Sequence, residues 1–456
     1  MYMPEHEDKY LQILSSIEKY THIDYHQFIE SHKQSPHTAI KLNPNKLNNP
    51  DLLNFPVSEK VPWANDAYYL QERPPFYADP LFYAGAYYVM DSSSMFLEEI
   101  LKALSLPDNA VVLDVAAAPG GKSVLISNFL KEDDVLWANE INHGRAKILH
   151  YNLSKWGKSN YVVSNNDTQV FASLSEVFDL IVCDAPCTGS GLFRKYPEWI
   201  NDFNENLVRQ CVSRQKQILQ NIFPSLKENG YLIYSTCSFM SEENEEMAEF
   251  IIDNGLEYVD IPVPADTGIV KTERGIRFFP HLTKSEGFFY AVFRKIQPTD
   301  SRHLLLKNKK THYPEMISHT KLVPFADYIN IQQQHRIYKY QNKYHLSNWL
   351  AQEYLQIPGS KWMATGTSIS DEKAHTPAPE LAMSVHLKND VPRLDLDKPQ
   401  AQKFLRKENL LISAEKKMYL ITYAGWGLGW AKVLENRVNN YFPPEWRIMK
   451  EVNAMD

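Results

Sequence analysis

The stretch Ala110–Ser123, AVVLDVAAAPGGKS, decides the fold. Its first six residues hold Val111, Val112, Leu113 and Val115, an apolar run that reads as a strand buried on both faces. Ala116 to Gly121 then make a tight loop of small residues, and a helix runs on through Leu125, Ile126 and Phe129. The pattern repeats downstream. Asp134–Ala138 is a second strand, followed by a helix from about His143 to Trp156, and Tyr161–Val163 is a third strand. Leu180–Cys183 is a fourth, with a long helix over Glu205–Leu226. Tyr231–Ser235 is a fifth, followed by an acidic helix from Glu242, and Phe288–Arg294 closes the series. Repeated strand–helix units predict a parallel sheet with helices on both faces.

The 456 residues exceed one domain of about 100–200 residues. Residues 1–94 read as an N-terminal extension. It has a helix from about Glu7 to Ser31, a short strand Ala39–Asn43 stopped by Pro44, and Ser92–Ser94 capping a helix that starts near Met95. Its density of Trp, Tyr, Phe and Pro over residues 62–88 is read mainly as core rather than as a base-stacking surface. Residues 95–297 form the α/β unit, residues 298–379 a connecting region, and residues 380–456 a small β-rich unit ending in Gly-, Pro- and aromatic-rich sequence. Within the connecting region, Arg302–His312 is a basic run and Thr365–Pro379 reads as a linker. The four cysteines make no disulfide framework, and no run reaches the ~18 apolar residues of a membrane helix. With a polar, acidic N-terminus, these features predict a cytoplasmic protein with no membrane contact. The net charge of −7 predicts no nucleic-acid binding by itself and leaves room for a local basic face.

The loop Ala116-Ala117-Ala118-Pro119-Gly120-Gly121-Lys122 between strand and helix lets a ligand approach backbone N–H groups. It is not a P-loop, because that motif needs glycine where Ala116 stands, and the dinucleotide fingerprint is absent. Glu140 lies 19 residues after Gly121, where an acidic residue accepts ribose hydroxyls. Asp167 follows the third strand and is placed to meet an adenine edge. An adenine and ribose without a phosphate cradle point to S-adenosylmethionine. At the ends of the fourth and fifth strands stand Asp184-Ala185-Pro186-Cys187 and Thr236-Cys237. No C-x-x-C redox pair and no zinc spacing accompanies these thiols, so no metal is expected. Cys183 and Cys211 read as core. A thiolate added at C6 of a pyrimidine makes C5 nucleophilic enough to take a methyl group, and a carboxylic acid such as Asp184 suits protonation or hydrogen bonding of N3. The base must be unstacked to be reached. The chemistry leaves open which thiol attacks.

In order, LDVAAAPGGKS, ANE, NND, DAPCTGSG, YSTCS and FFPHLTKSEGFFYAVFRK resemble the Nop/Sun family of RNA cytosine-C5 methyltransferases over roughly residues 35–297. The tail, with GWGLGWAK and NNYFPPEWR, resembles the PUA-like end of the bacterial branch that acts on small-subunit ribosomal RNA. The resemblance implies a class I Rossmann-like methyltransferase core with an N-terminal α+β extension and a C-terminal PUA-like domain. It implies methylation of cytosine C5 in RNA, most directly in small-subunit rRNA or the assembled subunit, by a monomer. A tRNA methyltransferase and a non-catalytic RNA-binding assembly factor are the alternatives. Carried over, Cys237 is the nucleophile, Cys187 assists product release, and Asp184 holds the cytosine beside the cofactor. Ala116, Ala117, Ala118, Pro119, Gly120, Gly121, Lys122, Glu140, Asp167 and Asp184 bind S-adenosylmethionine. Lys122 lies near the base or stays a solvated helix-start lysine. Met90 stands where the family commonly has Gln, which weakens any contact from that position.

Overall fold

Short apolar runs ahead of the α/β unit pair into a small antiparallel sheet of β1 (Thr38–Leu42), β2 (Ala67–Leu70) and β3 (Tyr87–Val89), in the order β2-β1-β3. The computed structural model that shows this describes residues 6–297, 314–318, 323–357, 359–372 and 376–450. The basic run Arg302–His312 lies outside the described residues. The single helix expected over Glu7–Ser31 is two helices, Glu7–Ile17 and Tyr25–Lys33. Tyr20 and Thr21 close the first onto the Ile17 carbonyl, and the Asp24 carboxylate caps the second by accepting from Gln27 N–H. Likewise Asp91, not the serines after it, caps the helix Ser92–Met95.

The alternating region forms β4 (Val111–Asp114), β5 (Val135–Asn139), β6 (Tyr161–Ser164), β7 (Phe178–Asp184) and β8 (Leu226–Thr236). All five run parallel in the order β6-β5-β4-β7-β8. β8 starts five residues earlier than the sequence pattern indicates, so the preceding helix stops at Ile222. After it come β9 (Leu256–Tyr258), β10 (Val270–Thr272), β11 (Gly275–Phe278) and β12 (Phe288–Lys295), with β12 antiparallel to β8. Apolar side chains alternate to the two faces. Val112, Leu180, Val182 and Ile233 fill one core layer, and Leu113, Ile181, Leu232 and Phe289 fill the other. The chain order reverses between β4 and β7, the crevice where open α/β sheets hold ligands.

The region expected to connect is itself folded where described. β13 (Glu315–Met316), β14 (His335–Tyr340), β15 (Lys343–Asn348) and β17 (Thr367–Asp371) make a four-stranded sheet, while β16 (Trp362–Thr365) pairs antiparallel with β6. The Thr- and Ser-rich stretch read as a linker therefore begins in strand. Its β-branched residues suit a pleated surface, and Ile369 is buried against Ile337 and Leu346. That core is continuous with Leu420 and Trp430 of the last sheet, β18 (Arg393–Leu396), β19 (Met418–Tyr423), β20 (Trp426–Val433) and β21 (Val438–Asn440). The last sheet and its helix Lys398–Leu405 pack against Tyr83 and Ala84, and Gln402 donates to the Ala78 carbonyl, so the last unit rests on the N-terminal extension.

Candidate active site

The loop after β4 is held from its outer side. Arg145 donates to the Ala118 carbonyl at 2.6 Å and Asn152 to that of Pro119 at 2.7 Å, while Ala117 N–H donates to Asn139 O. Gly120, at φ +116°, turns the chain into the helix Gly121–Phe129, whose first turn has no side-chain cap. Asp114 lies buried beneath, accepting from Ser123 Oγ at 2.6 Å through one oxygen, while its other oxygen has no partner. Burial pushes its carboxyl up to about 7.

Lys122 is not solvated. It is buried, its Nζ lies 2.8 Å from Asp184 Oδ2 and 4.6 Å from the centre of the Phe288 ring, and Ser235 Oγ donates to Asp184 Oδ1 at 2.8 Å. Asp184 thus meets an ammonium at one carboxyl oxygen and a hydroxyl at the other. Because β7 and β8 are parallel neighbours, their C-terminal ends lie side by side and Cys187 Sγ stands 3.2 Å from Cys237 Sγ. The hydrogen bond with Cys237, burial and the nearby Glu243 carboxylate all push the Cys187 thiol well up. The two thiol loops touch through backbone. Gly191 N–H donates to Cys237 O, and Gly287 N–H to Gly191 O. A Cβ at Gly191 would lie 2.4 Å from Gly287 O, so only glycine fits there.

Glu140 and Asp167 stand at the ends of β5 and β6, on the other side of the loop from the thiols. Glu140 is buried, accepts from Asn142 N–H at 2.8 Å and faces Arg145 at 3.7 Å. Asp167 is exposed and accepts from Gln169 N–H at 2.9 Å, a turn contact. Met90 and Tyr88 line the space beside Gly121. Cys183 is core, and Cys211 is half-buried with its thiol pushed up to about 11, chiefly by burial.

The sequence reading missed Glu243 and Glu245. Both lie in the acidic segment that starts at Glu242, and both are fully buried. Arg277 neutralises Glu245, and Glu243 accepts four hydrogen bonds. A signal was present in the preceding Thr236-Cys237-Ser238, whose hydroxyls and amides need local acceptors. Away from the thiols, Glu132, His335 and His386 converge. Gln332 N–H donates to His335 Nδ1, and the Nε2 of that ring lies 3.7 Å from Glu132 Oε2.

Three family models match the chain. The one described as 16S rRNA methyltransferase RsmB/F covers residues 101–294, the N-terminal domain of 16S rRNA methyltransferase RsmF covers residues 10–92, and the methyltransferase RsmF PUA domain covers residues 391–448. A protein named ribosomal RNA small subunit methyltransferase F from Shewanella piezotolerans is 26% identical over 93% of this chain and 94% of its own length. The protein of that name from Vibrio atlanticus is 31% identical over 65% of this chain and 64% of its own. A methyltransferase homolog protein from Pyrococcus horikoshii is similar in structure with a TM-score of 0.52 and 26% identity, covering 64% of this chain and all of that one. The structure of NSun6 from Pyrococcus horikoshii with SFG shares the fold, with a TM-score of 0.53 and 19% identity over 65% of this chain and 98% of that one. Among the described residues, no helix is long and apolar enough to cross a membrane.

Proposed function

This chain belongs to the Nop/Sun family of RNA methyltransferases, and from that premise we propose that it methylates carbon 5 of cytosine in small-subunit ribosomal RNA, as a cytoplasmic monomer. The observation that carries the reading is the pair of thiols 3.2 Å apart beside the Lys122–Asp184 ion pair. Methyl transfer to oxygen or to an amino nitrogen has no use for two thiols, whereas C5 chemistry needs a sulfur nucleophile.

The residues fit S-adenosylmethionine. The uncapped helix start at Gly121 offers N–H groups to a carboxylate, and the unpartnered Asp114 oxygen lies buried beneath the same loop. Ala116 to Lys122 would hold it, with Glu140 toward the ribose hydroxyls, Asp167 toward the adenine edge and Asp184 toward the reacting end. When bound, it supplies an electrophilic methyl group to the cytosine.

Cys237, as thiolate, forms a bond to C6 and sends the ring electrons toward C5 and N3. Asp184 orients the Lys122 ammonium, which donates to N3 as charge builds there, and its own carboxylate accepts from the exocyclic amine. After C5 carries the methyl group, its proton leaves to a base, the C5–C6 double bond re-forms and the C6–sulfur bond breaks. The electron pair returns to Cys237, and Cys187 assists that departure.

The test uses the full chain with small ribosomal subunits and the cofactor. Cys187→Ala is expected to accumulate a covalent protein–RNA adduct, and Cys187→Ala/Cys237→Ala to form none. An adduct that survives loss of Cys237 would overturn the assignment of the nucleophile. Wild-type protein that transfers no methyl group to RNA would leave the assembly-factor alternative. Bisulfite maps of ribosomal RNA with and without the gene identify the cytosine.

A further inference from the structure

We propose that Glu243 is a positioning residue, whose carboxylate clamps the loops of Cys187 and Cys237 together and directs the Cys187 S–H toward the Cys237 sulfur as a hydrogen-bond donor when that sulfur leaves the base. The proposal deepens the cytosine-C5 reading and rests on it.

Glu243 is fully buried at the start of the segment that follows β8. Its Oε1 accepts from Thr188 N–H and from Gln215 Nε2, both at 3.0 Å, and its Oε2 from Thr188 Oγ1 at 2.6 Å and from Ser238 Oγ. Thr188 directly follows Cys187, and Ser238 directly follows Cys237. Gln215, from the helix Glu205–Ile222, also donates to the Pro186 carbonyl at 3.1 Å, so both neighbours of Cys187 are tied to one node. The hydroxyls of Thr188 and Ser238 meet each other at 3.1 Å, and Tyr234 fixes the Glu243 backbone by donating to its carbonyl at 2.7 Å. One carboxylate therefore sets the separation of the two sulfurs. A simpler core would have filled this space with an apolar side chain.

The sign of the charge matters as much as the geometry. All four donors to Glu243 are neutral, so no counter-ion meets its carboxylate; burial pushes its carboxyl up, and the donors from Ser238, Thr188 and Gln215 oppose that push by bonding the charged form. The other titratable groups facing it are the thiols of Cys187 and of Cys211, which also hydrogen-bonds it, and the Tyr234 hydroxyl, with Arg214 beyond Cys211. A second negative charge on Cys187 is disfavoured there, which agrees with the upward push on that thiol. Cys187 thus keeps its hydrogen and can donate it across 3.2 Å. In release, the C6–sulfur bond gives its electron pair to Cys237 Sγ, and the Cys187 S–H hydrogen-bonds the emerging thiolate without transferring its proton. A thiolate stabilised in this way is a better leaving group.

The experiment compares Glu243→Gln and Glu243→Asp in the full chain. Iodoacetamide labelling of Cys187 is followed by peptide mass mapping across pH, alongside adduct accumulation on small subunits. Glu243→Gln is expected to lower the pH at which Cys187 alkylates, raising its rate at pH 8 by roughly tenfold, the effect of one pKa unit. It is also expected to accumulate adduct as Cys187→Ala does, with kcat falling while KM for the cofactor holds. Glu243→Asp, which keeps the charge, is expected to restore the labelling profile. A folded Glu243→Gln with wild-type labelling and wild-type release overturns the proposal. Should Glu243→Gln fail to fold, Thr188→Val and Ser238→Ala each remove one hydroxyl donor, and wild-type release in both overturns it equally. If wild-type protein transfers no methyl group to RNA, the cytosine-C5 reading fails, while the labelling profile still judges Glu243.

Discussion

Replacing Arg277 by methionine removes a guanidinium that holds the segment behind Cys237 in place. Arg277 lies in β11 and donates from Nε to Glu245 Oε1 at 2.7 Å, from a second nitrogen to Glu245 Oε2, and from Nη1 to the Phe239 carbonyl at 2.9 Å. The two side chains are 1% and 0% exposed. Removing one member of such a pair leaves a buried charge without a counter-ion, which costs about 3–5 kcal/mol. In a unit of 150–250 residues each kcal/mol lowers the melting midpoint by about 2–4 °C, so the expected fall is roughly 6–20 °C. Thermal unfolding followed by circular dichroism measures it. The companion variant Arg277→Met/Glu245→Met replaces the whole pair by apolar side chains and is expected to recover most of the midpoint. Its methyl transfer, assayed below both midpoints, is expected to recover less, because the Phe239 carbonyl two residues from Cys237 still lacks its donor. A midpoint for Arg277→Met within about 2 °C of wild type, or a double variant no more stable than the single, refutes the reasoning.

Lys122→Met is expected to lower kcat for methyl transfer by about 10²–10⁴-fold, the usual worth of a positioned proton donor, with the loss read as initial rate at saturating RNA. A loss confined to KM would count against the role given to the Lys122–Asp184 pair. Asp114 binds its proton more tightly in the folded chain, with the carboxyl raised from 3.8 to about 7, so its share of stability declines as pH rises through that window. Asp114→Asn is expected to flatten the wild-type decline between those pH values, measured by urea unfolding of cofactor-free protein, and an unchanged slope would contradict it. Gly191→Ala drives a methyl group to 2.4 Å from the Gly287 carbonyl and is expected to cost about 1–3 kcal/mol and to slow adduct formation by displacing the Cys237 loop. Normal melting and normal adduct rates would exclude that displacement.

The parallel sheet was legible because each of its strands is a nearly uninterrupted apolar run, and because strand and helix alternate with short loops. Adjacency of Cys187 and Cys237 followed from strand order alone. What local pattern hid was decided by partners far away in sequence. Lys122 reads either as a lysine near the base or as a solvated helix-start one, and Asp184 and Phe288 close over it. Glu243 and Glu245 belong to an acidic helix start whose burial is decided by donors from Thr188, Gln215 and Arg277. The strand Thr367–Asp371 sits in Thr- and Ser-rich sequence typical of linkers, and its β15 partner fixes it. The one helix expected over Glu7–Ser31 divides where polar and aromatic positions interrupt it, and Asp24 starts a new helix with its own cap. Asp167 makes a local turn contact as well, its carboxylate accepting from Gln169 N–H at the end of β6.

The pairing of β16 with β6 has a bearing on how far this chain can be divided. Without Trp362–Thr365, the backbone N–H and C=O groups on the outer side of β6 would lose their partners along the register Trp362–Ser164 to Thr365–Val162. Trp137 would also lose the Trp362 ring that lies 4.6 Å from its own. A bare, apolar edge of this kind recruits other strands and aggregates. The methyltransferase unit is thus sealed by sequence that lies beyond it, and cutting the chain after residue 297 would yield a sticky sheet rather than a smaller enzyme.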